Sequence, residues 1–417
     1  MDILRDRIVR LLRWSEKYMK TDMLYLAKGS FWLMVGQGVS MVSGLLLAVA
    51  FANLLPKEVY GDYKYILSLA GILAAFSLSG MGIAVTQAVA RGFEGMIRTG
   101  FWVQLKWSVL VLLAALVGAT YYFIQNNWIV AISFLIAGAL LPIIESTSLY
   151  SSFLGGKKDF QTDSIYGIFR SVVPAIALLG TILITRNVIV IVLAYFLSHA
   201  ATSSILYLRT LQKYKPGNTV DYSNISYGKH VSVLNIISII VFHADKVLIY
   251  HYLGAVPLAI YSIGFSLPAQ LKVVSKMLTT LIFPKLSSSS LETIRATIYD
   301  KSLRIFLAYA VIIAAYIAAA PFVFRWIFPQ YLDAVTVSQA LALGYLFHPA
   351  VLFSQTMFAQ KRQRELYILK FFVNGSRIIL LLLLLPPYGV WGAVYAFILG
   401  NALSSAASII LFRRLRE

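Results

Sequence analysis

Apolar residues along the chain form long blocks of about 20–28 residues, separated by short polar segments. A helix needs about 20 apolar residues to cross a bilayer. The strands of a membrane β-barrel would instead give alternating segments of about ten residues, and this pattern lacks them. We therefore predict an all-α polytopic membrane protein with twelve transmembrane helices. The predicted spans are 30–54, 63–90, 100–124, 128–153, 164–185, 188–208, 230–253, 258–284, 303–327, 331–358, 366–386 and 388–412.

The distribution of positive charge supports this count and predicts an orientation. Only 13% of the 417 residues are charged, whereas about a quarter of a soluble protein is charged. Most of the 36 Lys and Arg residues lie on one side of the predicted spans. Because cytoplasmic segments are enriched in Lys and Arg, we expect a protein of the cytoplasmic (inner) membrane with both termini in the cytoplasm. The same rule accounts for the net charge of +19, so no nucleic-acid partner is predicted.

The spans divide into two lobes around a polar segment. Residues 1–29 alternate basic and apolar positions, which is typical of an amphipathic helix on the cytoplasmic membrane surface. Residues 30–211 form the predicted N-lobe with spans one to six, and residues 229–417 form the C-lobe with spans seven to twelve. Pro216 and Gly217 mark a cytoplasmic linker at 212–228.

Two pairs of segments suggest that the lobes are repeats. Residues 53–69 align with 251–267, and residues 192–200 align with 394–402 at nearly the same offset. Since each lobe holds an even number of spans, the two copies would share one orientation in the membrane. We therefore predict two six-helix bundles, a parallel repeat, around a central cavity.

Charges inside the spans are the strongest functional signal. A charged side chain at the centre of a membrane helix costs at least about 2.5–3.5 kcal/mol, so it faces a bundle interior or a wet cavity. Two acids, Glu145 and Asp245, lie at such depth. Apart from the cations assigned to the loops, the termini and the ends of spans, those in the predicted spans are Lys106, Arg170, Lys246, Lys272, Lys276 and Arg377.

This surplus of cations favours an anionic cargo, because a phosphate or pyrophosphate would offset their desolvation. The candidate ligands of that anion are Lys246, Lys272, Lys276, Arg170 and Arg377. A structural interpretation, with ion pairs between helices and cations that extend to the membrane surface, stays open. It is favoured for Lys106, near the end of its span.

Other polar residues suggest ion coupling and a cavity wall. Asp245, Glu145 and His243 are candidates for binding a proton or sodium ion, and Gln37, Ser40 and Asn235 are candidates for lining the cavity. The sequence has no cysteine and no histidine spacing typical of a metal site. We therefore predict no metal and no cofactor.

Five segments resemble one protein family. They are ANLLPKEVYGDY at 52–63, GMGIAVTQAVAR at 80–91, HADKVLIYHYLG at 243–254, FPKL at 283–286 and PYGVWGA at 387–393. These segments, together with Tyr261, resemble the polysaccharide biosynthesis or O-antigen repeat-unit flippases. Those proteins belong to the multidrug/oligosaccharidyl-lipid/polysaccharide exporter superfamily.

The resemblance implies a V-shaped pair of six-helix bundles around a cationic lumen, working by alternating access. The implied cargo is a polyprenyl-diphosphate-linked oligosaccharide, moved from the cytoplasmic to the outer leaflet. The implied partners are this cargo, membrane lipids and polysaccharide assembly proteins. Two features depart from related branches. The lipid II flippases have fourteen spans, and the first span here, Phe31 to Asn53, lacks the carboxylate expected of a drug exporter.

Three alternatives fit the sequence less well than an oligosaccharide flippase does. A cation-coupled multidrug exporter usually carries a cationic cargo, which a positive interior would repel. A lipid II flippase is disfavoured by the span count. A membrane polymerase or ligase would need a large outer loop with catalytic groups, but each predicted outer loop has only a few residues. We therefore predict a protein that is not an enzyme.

Overall fold

The computed structural model describes residues 23–271, 279, 282, 286, 287 and 289–415, with side chains from residue 31 onward. The described part of the chain is helical and contains no strand. Its α-helices are α1 Met23–Leu54, α2 Lys57–Ala74, α3 Met81–Ala90, α4 Met96–Trp107, α5 Val109–Ile124, α6 Trp128–Thr147, α7 Leu149–Gly156, α8 Phe160–Ile184, α9 Val188–Tyr214, α10 Tyr222–Leu253, α11 Ala255–Ser266, α12 Leu291–Ile327, α13 Ala334–Gly344, α14 Val351–Ala359, α15 Gln363–Tyr388 and α16 Val390–Arg413.

Within the described residues, ten helical segments are long and apolar enough to cross a membrane. Each coincides with a predicted span, and several expose large apolar side chains such as Val117, Leu183 and Trp326. The protein is therefore a multi-pass membrane protein. The ten segments are Phe31–Leu54, Met96–Ile124, Trp128–Gly156, Phe160–Ile184, Val188–Tyr214, Tyr222–Leu253, Leu291–Ile327, Ala334–Ala359, Gln363–Tyr388 and Val390–Arg413.

The other two predicted spans are not among these ten segments. Span 63–90 is broken into α2 and α3, and residues 75–80 between them form turns. The backbone N–H of Gly80, at the start of α3, donates to Ser232 Oγ at 2.9 Å, which satisfies a donor that the break leaves free. Span 258–284 begins with the short helix α11, and most of the rest lies outside the described residues. The count of twelve thus stays a prediction.

The chain packs into two compact units, which we call the first and the second unit. The first unit holds the chain through Leu47, Leu73–Thr181 and Ile189–Asn235, and the second holds Ala48–Ile72, Ile182–Val188 and the chain from Ile236 onward. The apolar core of the first unit includes Met81, Ala84, Phe153 and Leu154. The core of the second includes Ile294, Phe353, Met357 and Phe412. The lobe boundaries drawn from the linker stay a prediction.

The segment predicted as a linker lies against the first unit. Glu94, which follows α3, accepts hydrogen bonds from the Lys157 ammonium and from the Gly217 backbone N–H at 3.4 Å. The hydrogen bond from Lys157 holds the pKa of the Glu94 carboxyl below its usual value. The Gly95 N–H donates to the Thr219 carbonyl at 2.9 Å. Arg91 adds an ion pair with Asp221 at 3.6 Å and a hydrogen bond to Asn224 at 2.9 Å.

Residues 48–72 belong to the second unit, although the sequence places them among the first spans. Asn53 Nδ2 donates to the Ile327 carbonyl at 2.9 Å, and Gln330 Nε2 donates to the Asn53 carbonyl at 3.1 Å. Lys57 forms an ion pair with Asp333 at 3.3 Å. These contacts tie the end of α1 and the start of α2 to the end of α12.

Helix α2 also packs against α10. The Tyr250 hydroxyl donates to Asp62 Oδ1 at 2.7 Å, and the rings of Tyr65 and Tyr250 stack with centroids 3.7 Å apart. A Cβ on Gly61 would overlap the Ala255 backbone. The small residue therefore lets α2 approach the start of α11 closely.

Candidate anion-binding site

Asp245 is the centre of a polar cluster inside the second unit. The side chain is buried, with only 3% of the residue exposed. Its carboxylate accepts a hydrogen bond from the Lys246 backbone N–H at 2.8 Å and one from the Tyr261 hydroxyl at 3.0 Å. Helices α10 and α11 meet at Gly254, whose φ of +88° is a left-handed conformation that suits glycine. Residues that are similarly far from Gly254 along the sequence, such as Asp245 on α10 and Tyr261 on α11, therefore face each other.

Two cations share this one carboxylate. Arg377 on α15 lies with Nη2 3.5 Å from Asp245 Oδ2, and Lys246 Nζ lies 3.9 Å from Asp245 Oδ1. The side chains of Lys246 and Arg377 are 20% and 25% exposed, against 4% for that of Asp245. We call Asp245, Lys246, Tyr261 and Arg377 the second-unit cluster. With two positive groups and one negative group, it carries a formal charge of about +1.

Aromatic rings support both cations. Lys246 Nζ lies 5.5 Å from the centroid of Phe242 and 5.9 Å from that of Phe265. The Arg377 guanidinium lies 5.9 Å from the ring of Phe397. Such cation–π contacts stabilise a charge without neutralising it, by about 0.5–2 kcal/mol. The cluster therefore keeps its positive charge while its cations stay oriented.

His243 lies one turn before Lys246 on α10. Its Nδ1 is buried, and in the described part of the chain it has no hydrogen-bond partner. Gly71 on α2 lies against the imidazole, because a Cβ at Gly71 would overlap the ring. Ser238, which lies nearer the start of α10, accepts a hydrogen bond from Asn374 Nδ2 at 3.0 Å. Helix α10 thus carries a polar stripe through the second unit.

Arg170 and Glu145 lie in the first unit. Glu145 on α6 is half-buried and interacts electrostatically with Arg170 on α8 without forming an ion pair with it. Arg170 is exposed and also interacts with Tyr150, Tyr195 and His199. We call these five residues the first-unit cluster.

The cavity-lining candidates have different surroundings. Ser40 Oγ on α1 lies 3.0 Å from Ser171 Oγ, one residue after Arg170, so it contacts the edge of the first-unit cluster. Gln37 is exposed one turn earlier on α1, and Asn235 is half-buried on α10. Of the predicted site residues that the structure describes, Arg170 and Glu145 thus lie together in the first unit, and Asp245, Lys246 and Arg377 lie together in the second.

Some predictions lie beyond what the structure describes. Lys272 and Lys276 fall outside the described residues. Lys106 is exposed near the end of α4. Among the described residues, no group of three or more His, Asp or Glu side chains could hold a metal ion. The contacts of Tyr261 and of the three phenylalanines were not predicted. For Tyr261, Phe242 and Phe265 the signal in the sequence is the turn at Gly254, which pairs α10 with α11; Phe397 lies on α16 and has no such signal.

These features define a class of protein: a multi-pass helical membrane protein with partly exposed cations inside its spans. Its fold is that of known transporters. The chain matches an inward-facing multidrug resistance MATE family transporter of the MOP superfamily with a TM-score of 0.69 and 13% identity, covering 91% of this chain and 97% of that chain. It matches the lipid II flippase MurJ, in an inward closed conformation, with a TM-score of 0.68 and 13% identity, covering 90% and 86%.

A third match has a named source. It is a MOP superfamily transporter from Pyrococcus furiosus Vc1, with a TM-score of 0.58 and 14% identity, covering 93% of this chain and 94% of that chain. At such low identities these matches show the fold alone. A comparison with curated protein sequences found no match.

The family follows from a direct match. The family model described as "Polysaccharide biosynthesis protein" matches residues 26–290, more than half of the chain. The protein therefore belongs to the polysaccharide biosynthesis protein family. This finding confirms the resemblance identified in the sequence.

Proposed function

We propose that the protein is a flippase that moves a polyprenyl-diphosphate-linked oligosaccharide from the cytoplasmic to the outer leaflet of the cytoplasmic membrane. Membership of the polysaccharide biosynthesis family and the MOP-type fold support a transporter of this kind. In this proposal twelve spans form two six-helix lobes that work by alternating access, with both termini in the cytoplasm. The protein performs no covalent chemistry on its cargo.

The observation that carries the proposal is the sharing of Asp245 by two cations. One carboxylate cannot neutralise both Lys246 and Arg377, and both cations stay partly exposed. A phosphate group supplies the missing negative charge and accepts charge-assisted hydrogen bonds from both side chains. Arginine is suited to this role because its planar guanidinium offers five donors in a fork that matches phosphate oxygens.

The remaining candidates have subsidiary roles in this proposal. Arg170 in the first-unit cluster, with Lys272 and Lys276, contributes further positive charge toward the diphosphate and the sugars. A proton or sodium ion bound at Asp245, Glu145 or His243 biases the transport cycle. Collapsing the proton gradient and the sodium gradient in turn, while the flux of cargo is measured, tests that coupling. A flux that depends on neither gradient contradicts it.

Complementation in cells tests the proposed cargo. A strain lacking the gene would receive the wild type, Lys246→Gln, Arg170→Gln or the control Arg304→Gln. The control removes one cation from an exposed surface pair with Asp300. We expect the first two variants to lower surface polysaccharide while the control matches the wild type, at equal protein levels in the membrane. Wild-type polysaccharide with Lys246→Gln would contradict the phosphate role.

The deletion strain also separates the proposal from its alternatives. An oligosaccharide flippase predicts that a lipid-linked oligosaccharide accumulates in the membrane, which extraction and mass spectrometry identify. A multidrug exporter predicts altered drug resistance with normal polysaccharide. A lipid II flippase predicts accumulation of the peptidoglycan precursor.

A further inference from the structure

The bonds to Asp245 are of two kinds. The two short bonds, 2.8 Å and 3.0 Å, come from neutral donors, namely the Lys246 N–H and the Tyr261 hydroxyl. The two contacts with cations are long, 3.5 Å for Arg377 and 3.9 Å for Lys246 Nζ. The second of these exceeds hydrogen-bond distance. The neutral donors therefore fix the carboxylate in place, and the cations are held mainly by charge.

The cations are also the parts of the cluster that can move. Asp245 has a short side chain and is nearly fully buried, whereas Lys246 and Arg377 have long side chains that reach the exposed part of the cluster. Each has an aromatic neighbour that keeps it near the cluster. An arriving anion can draw both cations away from Asp245 without moving the carboxylate.

We propose that Asp245 is a resident competitor for the anionic head of the cargo. This inference rests on the proposed function and deepens it. Without cargo, the Asp245 carboxylate takes the place of a phosphate oxygen beside Lys246 and Arg377. When the head binds, Lys246 and Arg377 turn to it, and Asp245 keeps only the bonds from Tyr261 and the backbone. Release of the head returns both cations to Asp245.

Competition of this kind sets both selectivity and release. A ligand must attract the two cations more strongly than a fixed carboxylate does, which favours a diphosphate with two negative charges over a monoanion. Because Asp245 already compensates part of the positive charge in the empty site, the anionic head binds less tightly than it would to two cations without a counterion. A transporter needs such limited affinity, since its cargo has to leave.

Binding of inorganic pyrophosphate tests the inference directly. The full-length protein in lipid nanodiscs is titrated calorimetrically with magnesium-free pyrophosphate. We expect Asp245→Asn to lower the Kd by about five- to 150-fold, the usual range for coupled sites. The control Asp300→Asn removes the same charge from an exposed pair with Arg304 and should leave the Kd unchanged. Lys246→Gln should raise the Kd.

The outcomes separate the inference from the proposed function. If Lys246→Gln weakens binding but Asp245→Asn leaves it unchanged or weaker, Asp245 is a structural counterion and the inference is overturned. If the wild type binds no pyrophosphate, or Lys246→Gln matches it, the proposed anion site itself fails and the inference with it.

A second variant covers the case in which Asp245→Asn does not fold. Tyr261→Phe removes one neutral donor, so Asp245 depends more on its cations and competes more strongly. Tyr261→Phe should therefore raise the Kd for pyrophosphate. An unchanged or lower Kd would overturn the inference.

Discussion

The two polar clusters compensate their charges in different ways. In the second-unit cluster, a buried carboxylate holds two partly exposed cations within 4 Å. In the first-unit cluster, Arg170 is exposed and interacts with Glu145 without an ion pair. Removing a cation therefore leaves a buried charge poorly compensated in one unit but not in the other. We therefore expect Arg377 to stabilise the fold of the second unit, and we expect no such contribution from Arg170 in the first unit.

The clusters also differ in the helix that supports them. Gly71 on α2 lies directly against the ring of His243, which leaves no room for a side chain. In the first unit, α1 approaches the cluster through the contact between Ser40 and Ser171 at 3.0 Å. Helix α2 thus packs against α10 at His243, next to the second-unit cluster in the sequence, whereas α1 reaches the neighbourhood of the first-unit cluster through a hydrogen bond between hydroxyls.

The largest expected effect is that of Arg377→Ala. Breaking a buried ion pair by removing one partner costs about 3–5 kcal/mol. Since Lys246 still lies near the Asp245 carboxylate, we expect a loss of stability near the lower end of this range. We expect a lower unfolding temperature of the purified protein and loss of surface polysaccharide in cells. The double variant Asp245→Asn/Arg377→Ala should recover stability but not transport. If Arg377→Ala alone is as stable as the wild type, Arg377 does not stabilise the fold by pairing with Asp245.

A smaller effect is expected for Gly71→Ala. The new methyl group overlaps the His243 ring, and overpacking of this kind costs about 1–3 kcal/mol. The matched control is Gly38→Ala on α1, where a Cβ would meet nothing within 4 Å. Thermal unfolding should show destabilisation for Gly71→Ala and equal or slightly higher stability for Gly38→Ala. Equal stability of the two variants would show that α2 does not support the cluster.

Arg170→Ala should separate stability from transport. Because no buried acid loses an ion pair, we expect a stability change of only about 0–1 kcal/mol, as for exposed charges. Transport should still fall if Arg170 contacts the anionic cargo. The measurement pairs thermal unfolding with surface polysaccharide in the complemented strain. A large loss of stability would make the two clusters alike and remove the contrast between them.

The smallest effect concerns the contacts between Glu94 and the segment predicted as a linker. The hydrogen bond from Lys157 lowers the pKa of Glu94. The stability it contributes is fully present above the usual glutamate pKa of about 4.3, and it is lost as the pH falls through the lowered value. The hydrogen-exchange protection factors of residues 215–224, which are corrected for the intrinsic effect of pH on exchange, should therefore fall under acid conditions. Glu94→Gln should exchange faster at pH 7 and show less pH dependence; unchanged protection would contradict the role of this contact.

Much of the helical architecture could be predicted from the sequence, because each apolar block is a local signal. Ten described segments coincide with predicted spans. The break in span 63–90 was missed because residues 75–80 are small or apolar and read as membrane helix. The partner that satisfies Gly80, the hydroxyl of Ser232, lies 152 residues away in the sequence. A stabilising contact at that separation leaves no local trace.

The site shows the same division between local and distant signals. The buried charges were found because any ionisable residue in an apolar run is conspicuous. The pairing of Arg377 with Asp245, across 132 residues, depends on how α15 packs against α10 and could not be predicted. Tyr261 belongs to the residues that resemble the family, but its bond to the carboxylate depends on the turn at Gly254, which brings α11 against α10.

The contacts of residues 48–72 have a consequence for biogenesis. Asn53 donates to the Val49 carbonyl in its own helix, but its second acceptor, the Ile327 carbonyl, lies 274 residues later in the chain. At about 5–20 residues per second, the ribosome needs on the order of tens of seconds to make that partner. During this time Asn53 and Lys57 have left the ribosome without their final neighbours. The contacts between residues 48–72 and the end of α12 therefore form only late in the synthesis of the chain, after α12 has been made.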